Sequence, residues 1–469
     1  MKTAAAACAA EDRLLSDRLY LAFLAFMVWI PLPMGSNRPW AWSILEVWVY
    51  VLAMAWIWGV QRGKLAVPDA FMASRPVLFM LFCWLAYGAI QLVPLPMPLI
   101  SILSPVSARM HELAGNAGWA PLTVDFHASM TAWFKSLAYA IVFCLVMLMV
   151  TDRHRLERLA KVLVYSGLIQ AFYGSMMTLS GLEFGFFIKK FAYLGAATGT
   201  FVNRNHFAGY LEMCLSIGMG LMIASLDTNA ARGARQRLRK ALALFLSEKM
   251  RLRLYLAVMV IALVLTHSRM GNTAFFASMM ASGVLGLLLM KRAPRTMVLL
   301  IASLVAIDIL IVGTWFGVEK VVARLEQTSA VHDADRVEVS ERAWRQWNAY
   351  RLVGSGGGSF YSVFPEYRDS KILSYYDHAH NDYAEFLSEY GVLGAMLLAA
   401  IVLSSFLAAL LALYKRRDPL MRGMAYASTM GILALSIHSV VDFNLQIPAN
   451  AATFMVILAL AWLSLNLKS

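Results

Sequence analysis

Gly391-Val-Leu-Gly-Ala-Met-Leu-Leu-Ala-Ala-Ile-Val-Leu-Ser-Ser-Phe-Leu-Ala-Ala-Leu-Leu-Ala-Leu413 runs for 23 residues without one charged side chain. A helix needs about 20 mostly apolar residues to cross a hydrocarbon core of about 30 Å, and within that core each backbone polar group must be satisfied inside the segment. The stretch therefore reads as most of a membrane-spanning helix, over about 384 to 413. Its flanks differ in kind: Lys415-Arg-Arg417 follows it, whereas Asp377-His-Ala-His-Asn-Asp-Tyr383 leads into it. Cytoplasmic loops carry the excess of Lys and Arg, so the histidine-containing end is expected to face the other side.

The rest of the chain reads the same way. Of its 469 residues 60% are hydrophobic and 15% charged, against roughly 45–50% and 25% in an ordinary soluble domain. A water-soluble enzyme is excluded, and so are a disordered chain and a disulfide-stapled scaffold, given 29 Gly, 14 Pro and only four Cys. Twelve spanning stretches are expected, at about 19 to 35, 41 to 60, 76 to 95, 130 to 150, 157 to 180, 206 to 226, 253 to 268, 271 to 290, 296 to 316, 384 to 413, 423 to 442 and 449 to 467. The alternating ten-residue strands of an outer-membrane barrel are absent. The fold class is thus an all-α polytopic membrane protein: nine helices over 1–316, one large, partly helical outward loop over 317–383, and three helices over 384–469.

With both termini cytoplasmic, that side holds 26 of the 41 basic residues, and eight of the other 15 lie in the one long loop. The net charge of +13 reflects this bias rather than nucleic-acid binding. The run Arg232 to Lys240 reads as a basic surface helix on anionic lipid. Met1 to Asp17 lacks a signal-peptide pattern, so the first span is expected to stay as an anchor. Cys83, Cys144 and Cys214 fall in spans and Cys8 in the tail, which implies no disulfide or zinc framework.

A connector of about 65 residues is far longer than most loops need and is expected to be functional. Ser340 to Val353 reads as a helix carrying Trp344, Trp347 and Arg351 at helical spacing; Phe360, Tyr361, Phe364, Tyr367, Tyr375 and Tyr376 follow. These aromatics either pack the loop onto the membrane domain or form a surface for sugar rings.

Arg204, Arg269, the His378 to Asp382 cluster and Asp442 come from four parts of the chain, yet all fall at the same membrane face in this topology. Charges at membrane depth usually line a cavity or substrate path, so their convergence points to one site. A guanidinium stays charged and presents a planar fork suited to phosphate oxygens; two of them fit a pyrophosphate, the plain alternative being snorkelling toward headgroups. Gly354-Ser-Gly-Gly-Gly-Ser-Phe360 is not a Walker loop, since no Lys-Ser/Thr follows. Its glycines, Gly356 and Gly358 among them, permit close backbone approach to a ligand or simply a hinge. In His378-Ala-His-Asn381 an imidazole near its ordinary pKa can take a proton from a hydroxyl. Metal binding by the His-x-His pair is discounted for want of an evident third ligand, although Asp377 or Asp382 could serve. Asp333-Ala-Asp335 reads as a chance match to the metal-binding pair of nucleotide-sugar transferases.

Ser340-Glu-Arg-Ala-Trp344, Gly354-x-Gly-x-Gly-x-Phe360, His378-Ala-His-Asn381 and Glu389-Tyr-Gly-Val-Leu-Gly394, preceded by Ser268-Arg269, resemble the O-antigen ligase and O-antigen polymerase superfamily. The resemblance is strong over about 254–412; Thr198 to Glu212 and Asp442 to Asn450 add weaker agreement. It implies a GT-C-like, metal-independent, inverting glycosyltransferase of the bacterial inner membrane, needing no cofactor. Such an enzyme moves a glycan from undecaprenyl diphosphate to an acceptor, lipid A core or a growing glycan, at the periplasmic face. By the same resemblance His380 maps to the general base, with His378 as the other candidate, Arg269 to a diphosphate ligand, and Arg204 and Arg342 to further functional arginines. Asn381, Asp382, Asp442, Gly356 and Gly358 take supporting places.

Ligation onto lipid A core, polymerisation of repeat units and transfer to protein hydroxyls share this donor and stay open as alternatives. A non-enzymatic lipid-glycan transporter is the rival from another class, but transporters place broken helices and charges near the midplane, whereas these motifs gather at one end.

Overall fold

The computed structural model describes residues 2–116, 118–225, 248–290, 330–368 and 376–468. It is built almost wholly of helices: α1 (Lys2–Trp29), α2 (Pro39–Gln61), α3 (Asp69–Ala73), α4 (Arg75–Leu92), α5 (Met97–Leu103), α6 (Pro105–Leu113), α7 (Phe126–Met149) and α8 (Arg153–Leu179). After these come α9 (Arg204–Ala224), α10 (Glu248–Leu265), α11 (Arg269–Leu289), α12 (Ala330–Ala349), α13 (Phe360–Tyr367), α14 (Asp382–Lys415), α15 (Pro419–His438) and α16 (Pro448–Asn466). Strand is confined to two antiparallel ladders of two-residue strands among the described residues.

Nine of these helices, α2, α4, α7, α8, α9, α11, α14, α15 and α16, are long and apolar enough to cross a membrane. The spans expected at about 19 to 35 and 253 to 268 fall on α1 and α10, helices that carry charge into their lengths (Asp12, Arg13, Asp17 and Arg18; Lys249, Arg251 and Arg253). The span expected at about 296 to 316 and the basic run Arg232 to Lys240 lie outside the described residues, as do Tyr375 and the side chains of Asp333 and Asp335.

Helices α9, α15 and α16 form the centre and are the most deeply buried of the nine. What lets α9 and α15 approach is a pair of glycines. A Cβ added to Gly220 would collide with the carbonyl oxygen of Gly423, and one added to Gly423 with that of Gly220, so backbone lies on backbone. Small residues at such crossings give dispersion contacts that larger side chains would forfeit. At one end of the bundle Asp418 caps α15 by accepting from the N–H groups of Leu420 and Met421, and pairs with Arg153 at 2.6 Å. The motif residues gather at the opposite end, where α9, α11 and α14 begin and α15 finishes.

Two features there depart from the sequence reading. The helix expected over Ser340 to Val353 is displaced to α12, Ala330–Ala349. The span expected from 384 is broken: at Gly391 (φ 62°, ψ −173°) the short opening segment of α14 ends and a second helix starts. A side chain there would strike the Leu352 carbonyl. The freed N–H of Val392 donates instead to Arg351 O at 2.9 Å, so the loop's own backbone repairs the break.

Candidate active site

The short segment of α14 is capped by Asn381, whose Oδ1 accepts from Ala384 N at 3.1 Å while its Nδ2 donates to Ser340 Oγ on α12 at 3.3 Å. Around that junction Val339, Ala343, Phe360, Phe364, Ala379 and Ala384 form a small core of α12, α13 and the start of α14. Packing thus accounts for Phe360 and Phe364, whereas Tyr361 and Trp344 stay exposed.

One residue before the cap, His380 adopts a left-handed backbone (φ 51°). Non-glycine residues seldom do so, and such positions concentrate at functional sites. Its ring stands edge-on to Tyr376 and Phe443, with centroids 5.6 and 4.8 Å apart, and its Nδ1 lies 4.0 Å from Asp442 Oδ1. Phe443 is a hub: His378 stacks on it at 4.4 Å and His206 meets it edge-on at 4.5 Å. His206 Nε2 also lies 3.5 Å from Asp442 Oδ1. Burial alone would push the Asp442 carboxyl up; the contact and charge of His206, then the charges of His438 and His380, outweigh burial and hold it below the usual carboxylate range.

The two histidines of the doublet are not equivalent. His378 Nδ1 is 2.7 Å from Glu385 Oε1, and Glu385 Oε2 accepts from Ala379 N at 2.8 Å. Burial works against a charged imidazole here, but the Glu385 carboxylate, with Asp377 and Glu389 behind it, raises the His378 pKa to about 9. At neutral pH His378 is an imidazolium, a fixed positive charge rather than a proton acceptor.

Asp382 faces inward. Its Oδ2 accepts from Ser439 Oγ at 2.7 Å and Leu445 N at 3.2 Å, and its N–H reaches Ser439 O and Asp442 O. It clamps the turn between α15 and α16 and so fixes Asp442 and Phe443. Arg204 opens α9 behind the cap Asn203 and lies over the Tyr193 ring. Arg269 opens α11 behind the cap Ser268 and is exposed. Two residues on, Gly271 sits against Ala208 of α9, which places α11's start beside the turn bearing Arg204 and His206. Arg342, mostly buried on α12, pairs with Glu338 at 3.4 Å.

Gly356 and Gly358 belong elsewhere. A Cβ at Gly356 would collide with Thr123 and one at Gly358 would press on Ala128 O, while Gly356 N donates to Glu389 O and Val124 N to Ser355 O, both at 2.9 Å. The glycine run is therefore a tightly packed strap between α7 and the broken α14. Five participants carried no assigned role in the sequence: His206, Phe443, Glu385, and the buried pair Glu212 and His438, joined at 2.7 Å. Ionisable residues inside apolar stretches were the available signal for Glu212 and His438. Among the described residues no three His, Cys, Asp or Glu side chains converge as metal ligands.

The arrangement offers an imidazole backed by a carboxylate, a fixed imidazolium, and guanidiniums at helix N-termini, where the backbone adds partial positive charge. No curated protein matches the chain. Residues 254–399 match the family model described as O-antigen ligase, a stretch that includes Arg269, Arg342, His378 and His380. Over that stretch, then, this membrane protein carries a domain of the O-antigen ligase superfamily.

Proposed function

We propose that this end of the bundle is the active site of an inverting, metal-independent glycosyltransferase. It takes a glycan from undecaprenyl diphosphate and joins it to an acceptor hydroxyl, that of lipid A core, at the periplasmic face of the bacterial inner membrane. The observation that carries the reading is the unlike environment of the two histidines: His378 is ion-paired with Glu385, while His380 stands beside Asp442.

His380 takes the acceptor's hydroxyl proton as that oxygen attacks the anomeric carbon. The bond from that carbon to the diphosphate breaks on the opposite face, and its electron pair leaves with the lipid diphosphate. Arg269 and Arg204, with Arg342 and the His378 imidazolium nearby, stabilise the charge growing on the phosphate oxygens. Asp442 stabilises the imidazolium formed at His380. The diphosphate linkage already stores the driving force, so no ATP is required.

The test incubates the purified protein with undecaprenyl-diphosphate-linked glycan and, separately, lipid A core, a second glycan chain or a protein acceptor, and identifies the product by mass. Glycan on lipid A core, with the anomeric configuration inverted and free undecaprenyl diphosphate released, is the expected result. An intact donor with every acceptor, or a donor moved across a vesicle membrane with no bond broken, would overturn the proposal.

A further inference from the structure

Beneath the histidine cluster lies a second set of ionisable groups that the mechanism above does not use. Glu212 sits eight residues into α9, roughly 12 Å below its first turn at 1.5 Å per residue. Its Oε1 is 2.7 Å from Nδ1 of His438, the last residue of α15, and both side chains are fully buried. His438 Nε2 in turn faces Asp442 Oδ2 at 3.9 Å. Among the described residues, Glu212 Oε2, His438 Nε2 and Asp442 Oδ2 are buried and make no hydrogen bond. A continuous line thus runs Glu212, His438, Asp442, His380, in which one carboxylate sits between two imidazoles.

This pair is poorly explained as a stabilising element. Taking an ion pair out of water costs several kcal/mol per ion, and apolar replacements of such pairs are often neutral or stabilising. Ionisable residues within membrane-spanning helices are by default functional. Among the described residues the surroundings add no second hydrogen-bond partner for His438. Helix α16 carries no ionisable residue and α11 only the exposed Arg269. Helix α14 turns Asp382 toward Ser439 and Glu385 toward His378, and His206 of α9 faces the other oxygen of Asp442. The Gly220–Gly423 contact fixes the distance between α9 and α15 on which the Glu212–His438 bond depends.

We infer that Glu212 and His438 are positioning residues for the glycosyl transfer, holding the Asp442 carboxylate at the angle and charge that serve His380. The inference rests on the proposed function. The Asp442 carboxylate is shared: its Oδ1 addresses His206 and His380, its Oδ2 His438. At 3.9 Å His438 acts on Oδ2 by its charge and not by a hydrogen bond, while the Phe443 N–H holds Oδ1 at 2.9 Å. Without that charge the carboxylate loses the field that orients it toward the base, so loss of the pair falls on turnover and not on donor binding.

The experiment is a double-mutant cycle on the full chain in detergent or proteoliposomes, with lipid-linked glycan as donor. Glu212→Gln is expected to lower kcat about tenfold or more, with KM for the donor changed by less than about twofold. In an Asp442→Asn background the same change is expected to cost less than about twofold, because the group it serves is already gone. If Glu212→Gln does not accumulate, Glu212→Gln with His438→Gln, which keeps an amide hydrogen bond in place of the ion pair, is measured instead, with the same expectation. Wild-type kcat, or an equal loss in both backgrounds, would overturn the inference. His380→Ala, run alongside, separates the two readings: if it is inactive while Glu212→Gln is unimpaired, only the positioning role falls, and if it is active the proposed base itself falls.

Discussion

Replacing Glu385 by Gln keeps the size of a buried side chain and removes the charge that faces His378. In the wild type that carboxylate, 2.7 Å from Nδ1, overcomes burial and raises the His378 pKa from 6.5 to about 9. At about 1.36 kcal/mol per pKa unit the difference amounts to about 3 kcal/mol, with His378 only a quarter exposed. The sign follows from the folded state holding its proton more tightly than the unfolded chain. The stabilisation is complete below about pH 6.5 and is lost as pH rises through about 9. In Glu385→Gln burial prevails, and His378 is expected to titrate below the ordinary histidine value. The assay is a pH titration of imidazole NMR signals from histidine-labelled protein in detergent, the His378 signal being identified by its loss in His378→Asn. The expected outcome is a midpoint near 9 in the wild type and below 6.5 in the variant. Equal midpoints, or a wild-type midpoint near 6.5, would refute the reasoning and remove the ground for distinguishing the two histidines.

Three further outcomes are expected. Gly391→Ala forces a Cβ onto the Leu352 carbonyl at a backbone angle alanine resists, so strain of about 1–3 kcal/mol or more should lower the monodisperse fraction in fluorescence size-exclusion chromatography. Arg269→Lys keeps the charge but loses the planar fork; about tenfold weaker use of the lipid-linked donor is expected in kcat/KM, and an unchanged value would remove Arg269 from the diphosphate site. At the other end of the bundle Arg153→Ala breaks an ion pair whose arginine is half exposed, and a stability change under about 1 kcal/mol is expected in thermal melting.

Most helix positions were legible in the sequence because a bilayer demands long apolar runs, and hydropathy records length directly. The break at Gly391 was not legible, since both sides of it are apolar and its cause is the backbone of Leu352, a tertiary partner. For the same reason the glycine strap reads in sequence as either a ligand loop or a hinge, and its packing does not show there. Its tight fit is against Thr123 and Ala128, more than 200 residues away. The histidine motif and the arginines were visible as polar groups placed at one end. Their ranking was not: His378 differs from His380 through Glu385 on the following helical turn, and Asp442 meets the Asp382 N–H through its carbonyl and, at 3.9 Å, His438, which pairs with Glu212. Phe443, the ring on which three histidines rest, is an ordinary aromatic in a turn until the structure brings them there.

The central claim is that His380 removes the acceptor proton while arginines at the same end of the bundle receive the departing diphosphate. It is tested most directly by measuring glycan transfer from undecaprenyl-diphosphate-linked donor in proteoliposomes containing His380→Ala at wild-type abundance. Transfer is expected to fall by about a hundredfold or more, in line with the loss of a general base, while the variant still binds the donor. Transfer at the wild-type rate by His380→Ala would contradict that claim.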